Sequence, residues 1–269
     1  KKLMWGRSLV IGQYVPLDSP IHHLDPRVKI IFVGVSIIDL FILQDWFSFL
    51  WWGIALIFLV SLSHLSFSYL LRSLRPLLFL LLLTMVLHLF FTPGEYIWEY
   101  GFLHISREGI SKGLLIVVRL CLLILVTSLL TLTTSPVELT DGMEYLLSPF
   151  KRWGFPAHEL AMMMTIALRF IPTLLEEADR ILKAQMARGM NLDSGGIIQR
   201  AKNLIPLLVP LFVNSFKRAD ELAIAMESRC YRGGKGRTRL RVLELTSSDY
   251  YFLALSFSFI AFLSLRSFL

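Results

Sequence analysis

The chain has 269 residues, of which 55% are hydrophobic and only 17% charged, and its formal net charge is +7. Soluble domains average about 45–50% apolar and about 25% charged residues, so the composition argues against an ordinary soluble enzyme and for a lipid-facing surface. The Lys and Arg excess matches the bias of cytoplasmic loops in membrane proteins, and no basic nucleic-acid motif accompanies it.

A polar lead precedes the first apolar run near Val28, and no cleavable signal is expected there. Five apolar stretches read as membrane spans: Val28 to Leu43, Trp46 to Ser63, Pro76 to Phe91, Gly113 to Leu132, and Tyr250 to Phe268. Lys1, Lys2, Arg7, Arg27 and Lys29 lie before or at the start of the first span, and Arg72 and Arg75 follow the second. The loop after the first span offers Gln44 and Asp45, and the loop after the third holds Glu95, Glu99 and Glu108 against Arg107 and Lys112. This asymmetry predicts a cytoplasmic N-terminus and a cytoplasmic segment from Thr133 to Asp249; an odd number of spans then puts the C-terminus outside. Trp46, Trp51 and Trp52, and Tyr96, Trp98 and Tyr100, fit interfacial anchors. Cys121 lies in an apolar run and Cys230 in a polar one, so free thiols are expected rather than a disulfide.

The chain is thus expected to be all-α, with an N-terminal membrane region over 1–132, a cytoplasmic module over 133–248 and a C-terminal span over 249–269. Within the module, Ser135-Pro136 has the chemistry of a helix start. From Ala157 to Gly189, apolar residues recur at helical spacing (Leu160, Met164, Leu168, Ile171, Leu175, Leu182), with Glu176, Glu177, Asp179, Arg180 and Lys183 on much of the rest. Asn191 to Gly196 reads as a loop. A second long helix is expected from Ile197 to about Cys230, with kinks at Pro206 and Pro210.

The tails of these two helices echo each other at an offset of 41 residues: Ala178-Asp179 matches Ala219-Asp220, Ala184 matches Ala225, and Arg188 matches Arg229. An Arg in a last turn complements the helix dipole by about 0.3–1 kcal/mol. That accounts for the Arg and not for its small neighbours, Ala187 and Gly189 at one tip and Ser228 at the other, with Cys230 in the place of the second Gly. Small flanks leave the planar guanidinium clear to enter a groove on a partner, and two similar tips suit a partner with two similar grooves, such as a two-fold dimer.

Four stretches in order resemble the transmembrane T component of energy-coupling factor (ECF) transporters, a family that includes cobalt-transporter permease relatives. They are Leu24-Asp25-Pro26-Arg27-Val28-Lys29, Leu139-Thr140-Asp141-Gly142-Met143-Glu144, Leu168-Arg169-Phe170-Ile171-Pro172 and Ala184-Gln185-Met186-Ala187-Arg188-Gly189. The resemblance implies a coupling subunit in the cell membrane whose two Ala-Arg-Gly signatures dock on a pair of ABC-type ATPases and which holds a small substrate-binding membrane subunit. It implies no catalytic site and no cofactor in this chain, ATP and Mg belonging to the partner subunits. The second signature, Ser228-Arg229-Cys230, departs from the pattern on both sides of its Arg.

Asp39, His88 and Arg119 fall inside predicted spans, where ionisable groups face other helices. An Asp39–Arg119 pair tying the first and fourth spans is expected, as a structural element. Gly233 to Thr238 lacks the spacing of a phosphate loop, and His22-His23 lacks a second ligand pair for a metal. Two other readings have distinct consequences. A conventional permease would bind its own substrate, and a membrane-embedded lipid-modifying enzyme would cluster acidic or His residues at a membrane face.

Overall fold

The computed structural model describes residues 14–100, 103–190, 196–233 and 243–268. Lys1, Lys2 and Arg7, nearly all of the expected 191–196 loop and most of the basic stretch after Gly233 lie outside the described residues, as do the side chains of Tyr96, Trp98 and Tyr100. Among the described residues the chain is all-α apart from one hairpin, and it divides into two compact units, Gly12–Leu146 with Val242–Leu269, and a second built on Leu147–Arg241.

The first unit contains α1 (Pro20–His23), α2 (Pro26–Ile42), α3 (Trp46–Leu62), α4 (Phe67–Leu74) and α5 (Leu78–Phe91). Strands β1 (Tyr96–Tyr100) and β2 (Leu103–Ser106) pair antiparallel and lead into α6 (Arg107–Thr133), and α7 (Pro136–Leu147) and α10 (Ser247–Phe268) complete the unit. By length and composition, Phe67–Phe91, Arg107–Thr133 and Ser247–Ser267 can cross a membrane, and Trp46–Leu62 is a shorter apolar helix. The third and fourth expected spans therefore begin earlier in the chain than the apolar runs suggested. The core gathers Phe32, Leu40, Trp52, Leu56, Val126 and Leu263 from α2, α3, α6 and α10.

Helix-end chemistry closes the bundle where α2, α6 and α10 begin or end. Asp25 caps α2 by accepting from the Arg27 backbone N–H at 2.8 Å, with Pro26 at the first helical position. The Arg27 guanidinium folds back on the same carboxylate in two parallel bonds of 2.9 and 2.7 Å and lies 4.1 Å from the centre of the Tyr145 ring. The Asp25 N–H donates to Asp249, whose other oxygen accepts from the backbone and hydroxyl of Thr246 at the start of α10. Buried Lys29 donates to the carbonyls of His22, in α1, and of Thr133, the last residue of α6. Ser135 and Glu138 form a reciprocal capping box at the start of α7. A Cβ on Gly142 would stand 3.2 Å from Pro26 Cβ and 3.4 Å from the Arg27 nitrogen. Two of the four family-like stretches thus pack on each other.

Gly109 and Gly113, one turn apart and both buried, give α6 a small-residue face toward α5. Between helices in lipid, close backbone approach replaces the hydrophobic drive available in water. A Cβ at Gly109 would stand 2.7 Å from the carbonyl oxygen of His88, while Gly34 and Gly53 have nothing within 4 Å of that position. Gly109→Ala should therefore cost about 1–3 kcal/mol, lowering the thermal unfolding midpoint in detergent. Gly34→Ala and Gly53→Ala should hold or raise the midpoint, because Ala is the better helix former by about 1 kcal/mol.

Candidate functional site

The second unit is dominated by two long helices, α8 (Ala157–Ala187) and α9 (Ile197–Ser228). At 1.5 Å per residue each is about 45 Å long. By length and composition α8 is also apolar enough to cross a membrane. Its charges crowd into the C-terminal half; between Leu160 and Leu175 only Arg169 is ionisable.

Four contacts define how the helices meet. The Arg218 guanidinium lies 5.9 Å from the Phe170 ring centre. Glu177 accepts from Asn214 at 2.6 Å and pairs with Arg218 at 3.5 Å. The Gln185 side-chain amide donates to the Pro206 carbonyl at 3.3 Å. Residue numbers rise on α8 as they fall on α9, so the helices pack antiparallel. The contacts centre near Leu175 and Phe216, which are themselves mates in the 41-residue offset. Glu177 and Arg218 are mates as well, so the sequence echo corresponds to an approximate two-fold relation between the helices.

That relation carries Arg188 and Arg229 to opposite ends of the crossing. Each lies about 13 residues, or ~20 Å, beyond the central pair. The two tips are therefore not brought together; they are held apart by up to about 40 Å.

Locally the tips are built alike. Arg188 and Arg229 are the C-cap residues of α8 and α9. Beyond Arg188, the Gly189 N–H donates to the Met186 carbonyl and the Met190 N–H to that of Gln185, both at 3.0 Å. Beyond Arg229, the Cys230 N–H donates to the Glu227 carbonyl at 2.9 Å and the Tyr231 N–H to that of Met226 at 3.1 Å. Each set is a Schellman motif, which requires a left-handed residue just past the cap. Gly189 supplies it at φ 89° and Cys230 at φ 56°. Cys230 thus preserves the helix-end geometry that its identity called into question. Ala187, Arg188, Gly189, Ser228, Arg229 and Cys230 are all exposed, and Cys230 and Cys121 are free thiols.

Asp39 and Arg119 do not form the expected pair. Buried Asp39 accepts from Trp52 Nε1 at 2.8 Å and from the Ser264 hydroxyl at 2.7 Å, linking α2 to α3 and α10. Arg119 instead donates to the Leu43 carbonyl at the end of α2, at 2.6 Å, and lies over Phe49. Two neutral donors occupy the carboxylate, and the guanidinium meets the negative end of the α2 dipole. Among the described residues no group of three His, Cys, Asp or Glu side chains is placed to hold a metal ion.

Residues 18–240 match the family described as CbiQ, cobalt transport protein. The chain is 56% identical over 243 residues to the energy-coupling factor transporter transmembrane protein EcfT of Thermosediminibacter oceani, covering 90% of this chain and 92% of that protein. Identity to the EcfT of Thermanaerovibrio acidaminovorans is 56% over 250 residues, covering 93% of each. The EcfT of Bacillus subtilis is 49% identical over 243 residues, covering 90% of this chain and 92% of that protein.

The two caps should respond oppositely to substitution. A left-handed backbone costs a residue with a Cβ about 1 kcal/mol and glycine little. Cys230→Gly should therefore raise stability by about 0.5–1 kcal/mol and Gly189→Ala lower it by about 1 kcal/mol, read as shifts in the thermal midpoint of the purified chain.

Proposed function

The chain belongs to the CbiQ cobalt-transport family and is a multi-pass transmembrane component of an ECF transporter; from that premise we propose that it couples a pair of cytoplasmic ABC-type ATPases to a separate substrate-binding membrane subunit. The observation that carries this reading is the pair of exposed Arg caps, alike in hydrogen bonding and set on opposite sides of an approximate two-fold centre. A dimer of identical ATPases offers the same groove twice, related by two-fold symmetry. One chain can match such a partner only by presenting the same tip twice in a similar relation.

In this mechanism each guanidinium enters one groove with its five donors directed at carboxylates or carbonyls, and its small flanks let the helix end follow. Closing of the ATPases around ATP and Mg then displaces the two tips relative to each other. The helices cross near Leu175 and Phe216, so the displacement passes through that crossing as a shear between rigid rods. The Glu177–Arg218–Asn214 contacts hold the crossing together while its apolar neighbours slide. The substrate-binding subunit receives this motion in the bilayer and releases its vitamin or metal-ion cargo. The basic residues before α2 and after the second span support a cytoplasmic side for the N-terminus and the long helices, and, with five spans, an outside C-terminus. Neither ATP nor Mg is bound by this chain in the cycle.

The test is co-purification of the tagged chain from its native membranes. The wild type should bring down two ATPases and a small membrane protein, with ATP hydrolysis. Two-point attachment multiplies affinities, so Arg188→Glu or Arg229→Glu alone should weaken ATPase retention roughly tenfold to a hundredfold. The double variant should lose the ATPases while still inserting in the membrane. A double variant that keeps its ATPases, or a wild type that comes down alone, would refute the docking role.

A further inference from the structure

We infer that Gln185 is a positioning residue that fastens the Arg188 tip of α8 to α9, and that the two docking arms are consequently held unequally. The latch needs a carbonyl free to accept, and Pro210 provides it. In an α-helix the carbonyl of residue 206 accepts from the N–H of residue 210. Proline has no N–H, so the Pro206 carbonyl is left without its helical donor, and the Gln185 side-chain amide donates to it from the neighbouring helix at 3.3 Å.

Gln185 is also the residue on which the α8 cap turns. Its own carbonyl accepts from the N–H groups of both Arg188 and Met190. The backbone of Gln185 thus holds the Arg188 tip, and its side chain holds α9. At the other tip the same hub position belongs to Met226, whose carbonyl accepts from Arg229 and Tyr231. Met226 is the mate of Gln185 in the 41-residue offset, and Thr165 is the mate of Pro206. A thioether donates no hydrogen bond, and Thr165 is followed four residues on by Arg169, which unlike Pro210 has an N–H for the helical carbonyl. The backbone caps are equivalent, but the hub residue's side chain donates to the neighbouring helix at Gln185 and has no donor to offer at Met226. In the coupling cycle the Arg188 arm is then fastened through Gln185 to the proline-bearing part of α9, a tie that Met226 does not give the Arg229 arm.

Hydrogen exchange in the full-length chain tests the latch without any partner. Gln185→Glu, which keeps the shape and removes the donor, and Gln185→Met, which copies the other tip, should each speed exchange of the Arg188, Gly189 and Met190 amides several-fold and leave those of Cys230 and Tyr231 unchanged. In a Pro210→Ala background the Pro206 carbonyl regains a helical donor, so the effect of Gln185→Met should shrink. Unchanged exchange at the α8 tip, or an effect undiminished by Pro210→Ala, overturns the latch.

The inequality of the arms rests on the coupling role proposed above, and ATPase retention by the co-purified complex tests it. Gln185→Met should release the ATPases several-fold faster in an Arg229→Glu background, where the α8 arm alone holds them, and have no effect in an Arg188→Glu background. Equal effects in the two backgrounds overturn the inequality. Failure of the wild type to hold ATPases refutes the docking role and leaves the exchange measurements to decide the latch.

Discussion

A helix leaves its last carbonyls without donors of its own, a proline leaves one more without a donor in mid-helix, and other groups of the chain must supply what is missing. Much of the polar chemistry in this protein answers that single constraint. Lys29 lies buried because the carbonyls ending α1 and α6 converge on its ammonium. Arg119 takes the carbonyl at the end of α2 in preference to the carboxylate the span pattern offers it. Gln185 takes the carbonyl that Pro210 releases in the middle of α9. The two Schellman caps serve the ends of the longest helices with backbone alone and leave the Arg188 and Arg229 side chains unspent. Availability of those guanidinium groups is what the docking reading requires.

The approximate two-fold relation between α8 and α9 follows from the same economy. Two antiparallel helices of nearly equal length present similar ends in opposite directions, so an echo in sequence becomes an echo about an axis. Packing near the centre is satisfied by a pair of mates, Glu177 and Arg218, which carry opposite charges and therefore attract across the axis. Identical residues at that place would have repelled. The departure from symmetry at Pro210, which has no counterpart at Arg169, frees the carbonyl that Gln185 meets.

Asp39 shows how a buried carboxylate is accommodated without a cation. Trp52 and Ser264 reach it from two different helices, and each such bond between membrane helices contributes about 0.6 kcal/mol, rising to ~1.7 in the best cases. Its larger effect is on specificity: only one rotation of α2 aims the carboxyl at both donors, so the pair sets the register of three helices. Trp52, the largest fully buried side chain among the described residues, marks the same junction.

Most of the helices were legible in the sequence because length, apolar run and helical period are local properties. The long helices begin where the periodicity placed them, at Ala157 and Ile197, and Ser135-Pro136 opens α7 as capping chemistry requires. The Arg tips were legible as well, since the 41-residue echo is written in residue identity. Partner choice was not. Asp39 and Arg119 lie in different apolar runs with compatible charges, and only the rotation of α2 and the position of its last carbonyl decided that they take other partners. The role of Cys230 depended on a backbone angle that identity does not dictate for a residue with a Cβ. The contact of Gln185 with Pro206 required two helices to be aligned before a carbonyl lacking its donor met an amide able to supply one. Sequence by itself determined most of the helices and where they end, because those bonds close within a few residues; tertiary structure alone decided which distant polar groups meet, because those bonds close across the bundle.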